Sequence, residues 1–249
     1  MFPFWTSITE PLLALLKPKV VVEVGSEAGL HLSRLLGSAA LARAAVHAID
    51  PKPLFDADDW VRRSGGRLVV HGGTSLAVLP TLEAFDAIFI DGDHNWYTVF
   101  HELRAIEQRS GELGLGFPLV LLHDIAPPWG RRDLYYAPET IPAEFRQPYT
   151  RQQARPGAAY HGDYCTAVHE GGPRNGVLTA VEDFLAQSAV PLELTKIPGF
   201  AGLGILTPRA LMESHAELAR FIRSLELTPP IFRYIETLEQ ARLQQARRR

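Results

Sequence analysis

Short apolar runs that end in polar residues recur along this chain, and the stretches between them have helical spacing. Val20 to Val24, Val46 to Asp50, Arg67 to Val70, Phe85 to Asp91 and Leu119 to Asp124 read as strands. Several of these runs are continuously apolar rather than alternating, the pattern of strands covered on both faces of a parallel sheet. Between them, Leu12 to Leu16 predicts a short helix that Thr9 can cap, with Pro11 tolerated in its first turn and Pro18 stopping it. Leu30 to Ala44, Asp59 to Arg63 and a segment beginning at Ser75 to Leu82 predict three more helices. Val99, Leu103 and Ile106 fall on one face of another that follows Asp91. Further on, Val177, Leu178, Val181, Phe184 and Leu185 mark an amphipathic helix with Asn175 as its cap, and Leu192 to Ile197 and Gly202 to Thr207 read as two strands. Strands alternating with helices predict an α/β fold, doubly wound, with helices on both faces of the sheet. No internal repeat interrupts the pattern.

The turn after the first strand carries the first sign of chemistry. Glu23 is followed by Gly25 and Gly29, and Asp50 closes the next strand 21 residues after Gly29. Glycines let a strand-to-helix turn bring backbone N–H groups close to a ligand, and an acidic residue closing the second strand can accept from ribose hydroxyls. A tight turn also needs glycine for positive φ whether or not anything binds there. Ligands of open parallel sheets lie beyond the carboxyl ends of the strands, so Glu23, Asp50, Asp91 to His94 and His123-Asp124 are expected at one crevice.

These residues resemble the class I S-adenosylmethionine-dependent methyltransferases. Glu23-x-Gly25-x-x-x-Gly29 is similar to that family's first motif, and Asp50 matches its ribose-binding acid. Ile90-Asp91-Gly92-Asp93-His94-Asn95-Trp96-Tyr97 resembles the aspartate-rich motif of a bacterial small-molecule O-methyltransferase subfamily. The likeness covers about residues 18 to 208. It implies a mostly parallel seven-stranded Rossmann-like sheet that ends in an antiparallel strand pair, and S-adenosylmethionine as cofactor. Glu23, Gly25, Ser26, Gly29, Asp50, Asp91 and His94 would then surround the cofactor. Thr74 and Ser75 would meet its adenine or ribose, unless they serve only as a helix cap. Glu27 stands where many members have glycine; its carboxylate would repel a pyrophosphate and suits a cofactor without phosphates.

Methyl transfer is an in-line displacement, so the protein aligns a nucleophile and removes its proton where the nucleophile is a hydroxyl. His123, Asp124 and His94 are the candidates for that task. Alternatively, Asp91 and Asp124 hold Mg²⁺ or another divalent metal, at positions resembling the metal-binding aspartates of catechol-type O-methyltransferases. The next residue departs from that pattern, being Ile125 in place of Asn. Two other readings stay open: an NAD-dependent oxidoreductase on a Rossmann-like fold, and a non-catalytic cofactor-binding module.

Residues 125 to 175 differ in character, being rich in proline and tyrosine. Loops of such length are usually functional, and this one leaves the sheet at the carboxyl end of a strand, so a lid or acceptor-binding wall is expected. Trp129, Tyr135 and Tyr136 could stack on a sugar or aromatic acceptor, and Arg131 or Arg132 could pair with its carboxylate or phosphate, although Arg132-Asp133 could equally be a structural ion pair. His161, Asp163, Cys165 and His169 have ligand chemistry, but their spacing matches no zinc motif and an ordinary polar loop is expected. The organisation is thus a methyltransferase-like domain over 1–208, with the insertion, and a helical extension over 209–249. In the extension, Leu211, Leu218, Ile222 and Leu225 form one face, and Ile231, Ile235 and Leu238 another after Pro229-Pro230. These faces need cover from the lid region or a second subunit, which suggests a homodimer.

Composition changes little in this picture. The chain has 249 residues, 46% of them hydrophobic, enough to bury a full core. A net charge of −3 gives no argument for nucleic acid. One cysteine, Cys165, excludes an internal disulfide. The apolar opening Met1 to Trp5 lacks a basic flank and no membrane span follows, so a cytoplasmic enzyme acting on a small-molecule or glycan acceptor is expected.

Overall fold

The apolar runs pair into a single open sheet. In the computed structural model, which describes residues 1–152 and 163–248, the strands are β1 (Val20–Val24), β2 (Ala45–Ile49), β3 (Leu68–His71), β4 (Ala87–Ile90), β5 (Leu119–His123), β6 (Leu134–Tyr135), β7 (Tyr149–Gln152), β8 (Tyr164–Ala167), β9 (Leu192–Ile197) and β10 (Leu203–Pro208). Seven of them form one sheet in the order β3-β2-β1-β4-β5-β10-β9. The first five are parallel and β10 runs antiparallel to both β5 and β9. The chain leaves β1 toward β2 on one side and later returns to β4 on the other, so the strand order reverses beside β1 and opens a crevice at its carboxyl end.

Helices cover both faces: α1 (Glu10–Leu16), α2 (Leu30–Gly37), α3 (Ala57–Arg63), α4 (Ser75–Val78), α5 (Trp96–Glu112), α6 (Val177–Gln187), α7 (Arg209–Ser214), α8 (Ala216–Ser224) and α9 (Pro229–Arg248). Alternate residues of the strands feed two cores. Val21, Phe89 and Leu121 pack with Leu12 and Leu13 of α1, Leu32 and Leu35 of α2, and Leu218 and Ile222 of α8. Val22, Ile88 and Val120 pack with Val99, Leu103 and Ile106 of α5 and Val181 and Phe184 of α6. The first face of the extension is therefore covered by the chain's own α1 and needs neither a lid nor a second subunit. On α9, Ile231, Tyr234 and Leu238 are about half exposed. No described helix is long and apolar enough to cross a membrane.

Four boundaries differ from expectation, each for a local reason. Thr9 makes no capping bond, because a turn of π-helix over Trp5–Thr9 runs straight into α1. The helix expected over 30–44 stops at Gly37, where Ser38 turns extended, and a short 3-10 turn follows over Ala39–Leu41. The helix begun at Ser75 tightens after Val78 into a 3-10 turn over Leu79–Thr81, which contains Pro80. Gly176, not Asn175, caps α6. The Asn175 side chain instead accepts the Asp133 amide at 2.8 Å and donates to the His169 and Gly171 carbonyls.

The insertion is a structured unit. β6, β8 and β7 form a three-stranded antiparallel sheet, and a bridge from Leu134 to His94 joins it to the carboxyl end of the main sheet. Asp133 ties its root down: Oδ1 accepts the Trp96 and Gly176 amides at 2.8 and 2.6 Å, and Oδ2 accepts the Tyr135 hydroxyl at 2.6 Å. The expected pair between Arg132 and Asp133 does not form; Arg132 meets Glu170 at 3.6 Å. Of the polar cluster in this region, His161 lies outside the described residues, Cys165 is buried, and Asp163 pairs with Arg151.

Candidate active site

The crevice begins at the turn after β1. Gly25 has φ of 85°, and a Cβ there would come within 2.3 Å of the Asp91 carbonyl oxygen, so only glycine lets β1 and β4 approach at their ends. Gly29 has φ of 77° and leads into α2. Glu23 lies beneath this turn, 1% exposed, with Oε2 accepting from Ser26 at 2.7 Å and Oε1 2.7 Å from His31 Nδ1. Glu23 and Ser26 thus brace the turn against His31, a residue that sequence reasoning passed over. Asp50 accepts the Glu27 amide on Oδ2 and the Lys52 amide on Oδ1, both at 2.8 Å. A carboxylate offers about four acceptor positions, so these two bonds orient Asp50 and still allow it to receive ribose hydroxyls. Thr74 sits at the N-cap of α4 without a side-chain cap bond, and Ser75 is buried.

Four ionisable side chains meet at the ends of β4 and β5. His123 Nδ1 lies 3.0 Å from Asp91 Oδ1 and 2.8 Å from Asp124 Oδ2. His94 Nδ1 reaches the same Asp124 oxygen at 2.8 Å. The Met1 amine donates to Asp91 Oδ2 at 2.9 Å. Asp124 holds its place at a φ of 62°, unusual for a non-glycine residue and typical of functional sites. Burial would raise both aspartates, but the His123 charge, joined by the Met1 amine at Asp91 and by His94 at Asp124, together with hydrogen bonds from these rings, holds each below the usual carboxylate range.

The protonation of His123 follows from its partners. Its Nε2 lies 2.9 Å from the Phe200 carbonyl oxygen, which can only accept, so Nε2 carries a hydrogen. Its Nδ1 faces two ionised carboxylates, which also only accept. Both nitrogens therefore donate and the ring is an imidazolium. Burial would lower its pKa, but Asp124 and then Asp91 push it up to about 10. This corrects the expectation of His123 as a proton acceptor: at neutral pH it is a fixed cation. For His94, burial also opposes the charge and Asp124 favours it, with a net rise above the ordinary histidine value.

The same donor set decides how well a metal fits. Asp91, His123 and Asp124 place one ligand atom each within 4.8 Å of one another. Between the carboxylates, however, stands a cation already, and His123 would have to lose its Nδ1 proton to become a ligand. Without an ion the three residues form an internal ion cluster, and a divalent metal held by them would displace the His123 proton.

The expected acceptor residues separate into two groups. Tyr136 is exposed and its ring stands edge-on to His94 at 5.9 Å, so it borders the crevice. Tyr135 is fully buried with its hydroxyl on Asp133, and Arg131 is bound to Glu182 by both guanidinium nitrogens at 2.6 and 2.8 Å. Tyr135 thus serves the fold of the insertion, while Arg131, paired with Glu182, keeps about two-fifths of its side chain exposed. Trp129 is 7% exposed and Arg132 is engaged with Glu170. Behind the site, Glu102 of α5 is wholly buried. Burial pushes its carboxyl up to about 8, helped by the Asp93 charge, and neither carboxyl oxygen has a hydrogen-bond partner among the described residues. Its spacing, three residues after Val99 and four before Ile106, puts Glu102 on the apolar face of α5, a signal that sequence reasoning passed over.

Residues 22–125 match a family described as a methyltransferase domain. A tRNA U34 carboxymethyltransferase of Shewanella denitrificans is 32% identical over 123 residues, 47% of this chain and 34% of that protein. Its counterpart in Shewanella baltica is 35% identical over 112 residues, 43% of this chain and 31% of that protein. The chain thus spans about a third of the length of the curated relatives it matches. Similar solved structures include an S-adenosylhomocysteine-bound methyltransferase of Podospora anserina, with 16% identity, a TM-score of 0.47, and coverage of 80% of this chain and 76% of that one. The O-methyltransferase TomG of Streptomyces achromogenes gives 16% identity, a TM-score of 0.45, and coverage of 80% and 77%.

Proposed function

We propose that this protein, whose residues 22–125 match a methyltransferase-domain family, is a class I S-adenosylmethionine-dependent enzyme that transfers a methyl group to a hydroxyl of a small molecule such as a sugar or natural product. The carrying observation is the pairing of His94 and His123 on a single Asp124 oxygen, each at 2.8 Å. An ion-pair contact of 2.8 Å between His94 Nδ1 and Asp124 Oδ2 supports His94 as the general base. His123 supplies a fixed positive charge beside the two aspartates, and Tyr136 borders the entrance for the acceptor.

S-Adenosylmethionine supplies an electrophilic methyl group on a cationic sulfonium. The crevice suits it: carboxylates rather than arginines stand at the ends of β1, β2 and β4, and Gly25 keeps side-chain bulk out of the turn. Asp50 would hold the ribose. The protein's own work is then to hold the acceptor hydroxyl in line with the methyl group, to take its proton at His94, and to keep water out with the insertion.

Calorimetric titration of S-adenosylmethionine into wild type and Asp50→Ala tests the cofactor. Micromolar binding that is lost in Asp50→Ala supports the reading and justifies a screen of hydroxyl acceptors. Absence of binding to the wild type would remove it.

A further inference from the structure

We propose that Glu239, in the helical extension outside the methyltransferase domain, is a positioning residue for His123 and acts through the carbonyl of Phe200. The inference rests on the functional reading above for the importance of His123, but its geometry stands by itself.

The turn between β9 and β10 places Phe200 and Ala201 in the left-handed region, at φ of 48° and 62°. Two consecutive non-glycine residues there are costly, and such strain persists only where surrounding contacts hold it. The turn is held from two directions. On the side of the main sheet, the Ala126 amide donates to the Ala201 carbonyl at 2.8 Å. On the outer side, Glu239 of α9 accepts the Ala201 amide on Oε1 at 3.0 Å, the N–H of the same peptide group whose carbonyl belongs to Phe200. Glu239 is 5% exposed although it lies on a terminal helix. Arg242, one turn along, binds both its oxygens at 2.7 Å and lays its guanidinium 5.5 Å from the Phe200 ring centre.

Gripped in this way, the turn can present only one backbone group to the crevice, and it presents the Phe200 carbonyl to His123 Nε2 at 2.9 Å. That contact sets which hydrogens His123 carries and how its Nδ1 is divided between Asp91 and Asp124. A buried glutamate used merely to dock α9 would need no strained partner and no carbonyl aimed at the ion cluster. The chain Arg242, Glu239, Phe200, His123 links the extension to the reacting centre through charge-assisted bonds.

Long-range ¹⁵N–¹H spectra of the histidine rings test the link, with His123 assigned by difference from His123→Gln. In the wild type both His123 nitrogens carry hydrogens at mildly alkaline pH. In Glu239→Ala the His123 Nε2 hydrogen, released from a fixed Phe200 carbonyl, is expected to exchange faster by about tenfold or more, with the other histidines unmoved. Glu239→Gln, which keeps an oxygen for the Ala201 amide, should restore the wild-type spectrum. Should Glu239→Ala not fold, Arg242→Gln is expected to speed the same exchange by less. An unchanged His123 exchange rate in a variant whose turn amides exchange faster with solvent would overturn the proposal. S-Adenosylmethionine calorimetry on the same samples separates the two readings. Absence of wild-type binding sinks the functional one, and retained binding with an unchanged His123 exchange rate sinks only the positioning role.

Discussion

Gly25 and Asp91 meet backbone to backbone: a Cβ on Gly25 would lie 2.3 Å from the Asp91 carbonyl oxygen and 2.5 Å from the Gly92 Cα. No rotamer of a neighbour can relieve a clash with main chain. Gly25 also needs φ of 85°, where an L-residue is strained. Gly25→Ala must therefore push apart the ends of β1 and β4, where the cofactor is expected. We predict that it costs about 2–4 kcal/mol of stability in urea unfolding and abolishes S-adenosylmethionine binding by calorimetry. A folded Gly25→Ala protein with wild-type affinity would show that the turn does not contact the cofactor.

Glu102 makes a prediction about stability and pH. Its folded pKa of about 8 lies above the ordinary 4.5, so the proton it holds stabilises the fold fully below about pH 4.5, and that contribution is lost as pH rises through 8. Glu102→Gln keeps the size of the group and removes the titration. Relative to wild type, the variant should gain about 2–4 kcal/mol between mildly acidic and alkaline conditions, read from urea unfolding at a series of pH values. A difference that stays constant with pH would show that Glu102 ionises normally.

The order of strands and most helices was legible because continuous apolar runs and 3.6-residue spacing report burial, and this chain buries both faces of its sheet. The meeting of Asp91 with His123-Asp124 was legible for the same reason, since they end neighbouring parallel strands. What failed was whatever depends on side-chain direction. Asn175 looked like a cap by position, but its amide turns to Asp133. Tyr135 ends β6 and is wholly buried, while Tyr136, in the bend just after it, is exposed and borders the crevice. The charge on His123 could not be read at all, because it depends on a carbonyl 77 residues away. Glu239 gave no signal either, lying on a helix whose spacing marks only apolar positions.

The His123 imidazolium predicts an unusual response to its own removal. His123→Ala leaves Asp91 and Asp124 side by side in a buried site without their cation, which should cost about 3–5 kcal/mol. It also vacates the space between two carboxylates whose oxygens suit a hard divalent ion. Mg²⁺ or Mn²⁺ is therefore expected to raise the melting temperature of His123→Ala and to leave that of the wild type unchanged. Equal stabilisation of both proteins would mean that the metal and His123 coexist, against the arrangement described above.

The final prediction concerns the base. His94 must be neutral to accept a proton, and Asp124, opposing the effect of burial, raises its pKa above the ordinary 6.5. With an acceptor in hand, kcat/KM should rise with pH along a limb whose midpoint lies above 6.5 and level off beyond it. Asp124→Asn removes the charge that raises His94, so the surviving activity should show its limb at lower pH, with kcat reduced by about 10²–10⁴-fold. His94→Gln should lower kcat by a similar factor and abolish that limb, with little change in S-adenosylmethionine affinity. A His94→Gln enzyme that keeps both its rate and its pH limb would assign the proton transfer elsewhere, and the Asp124 variant would then report only on the ion cluster.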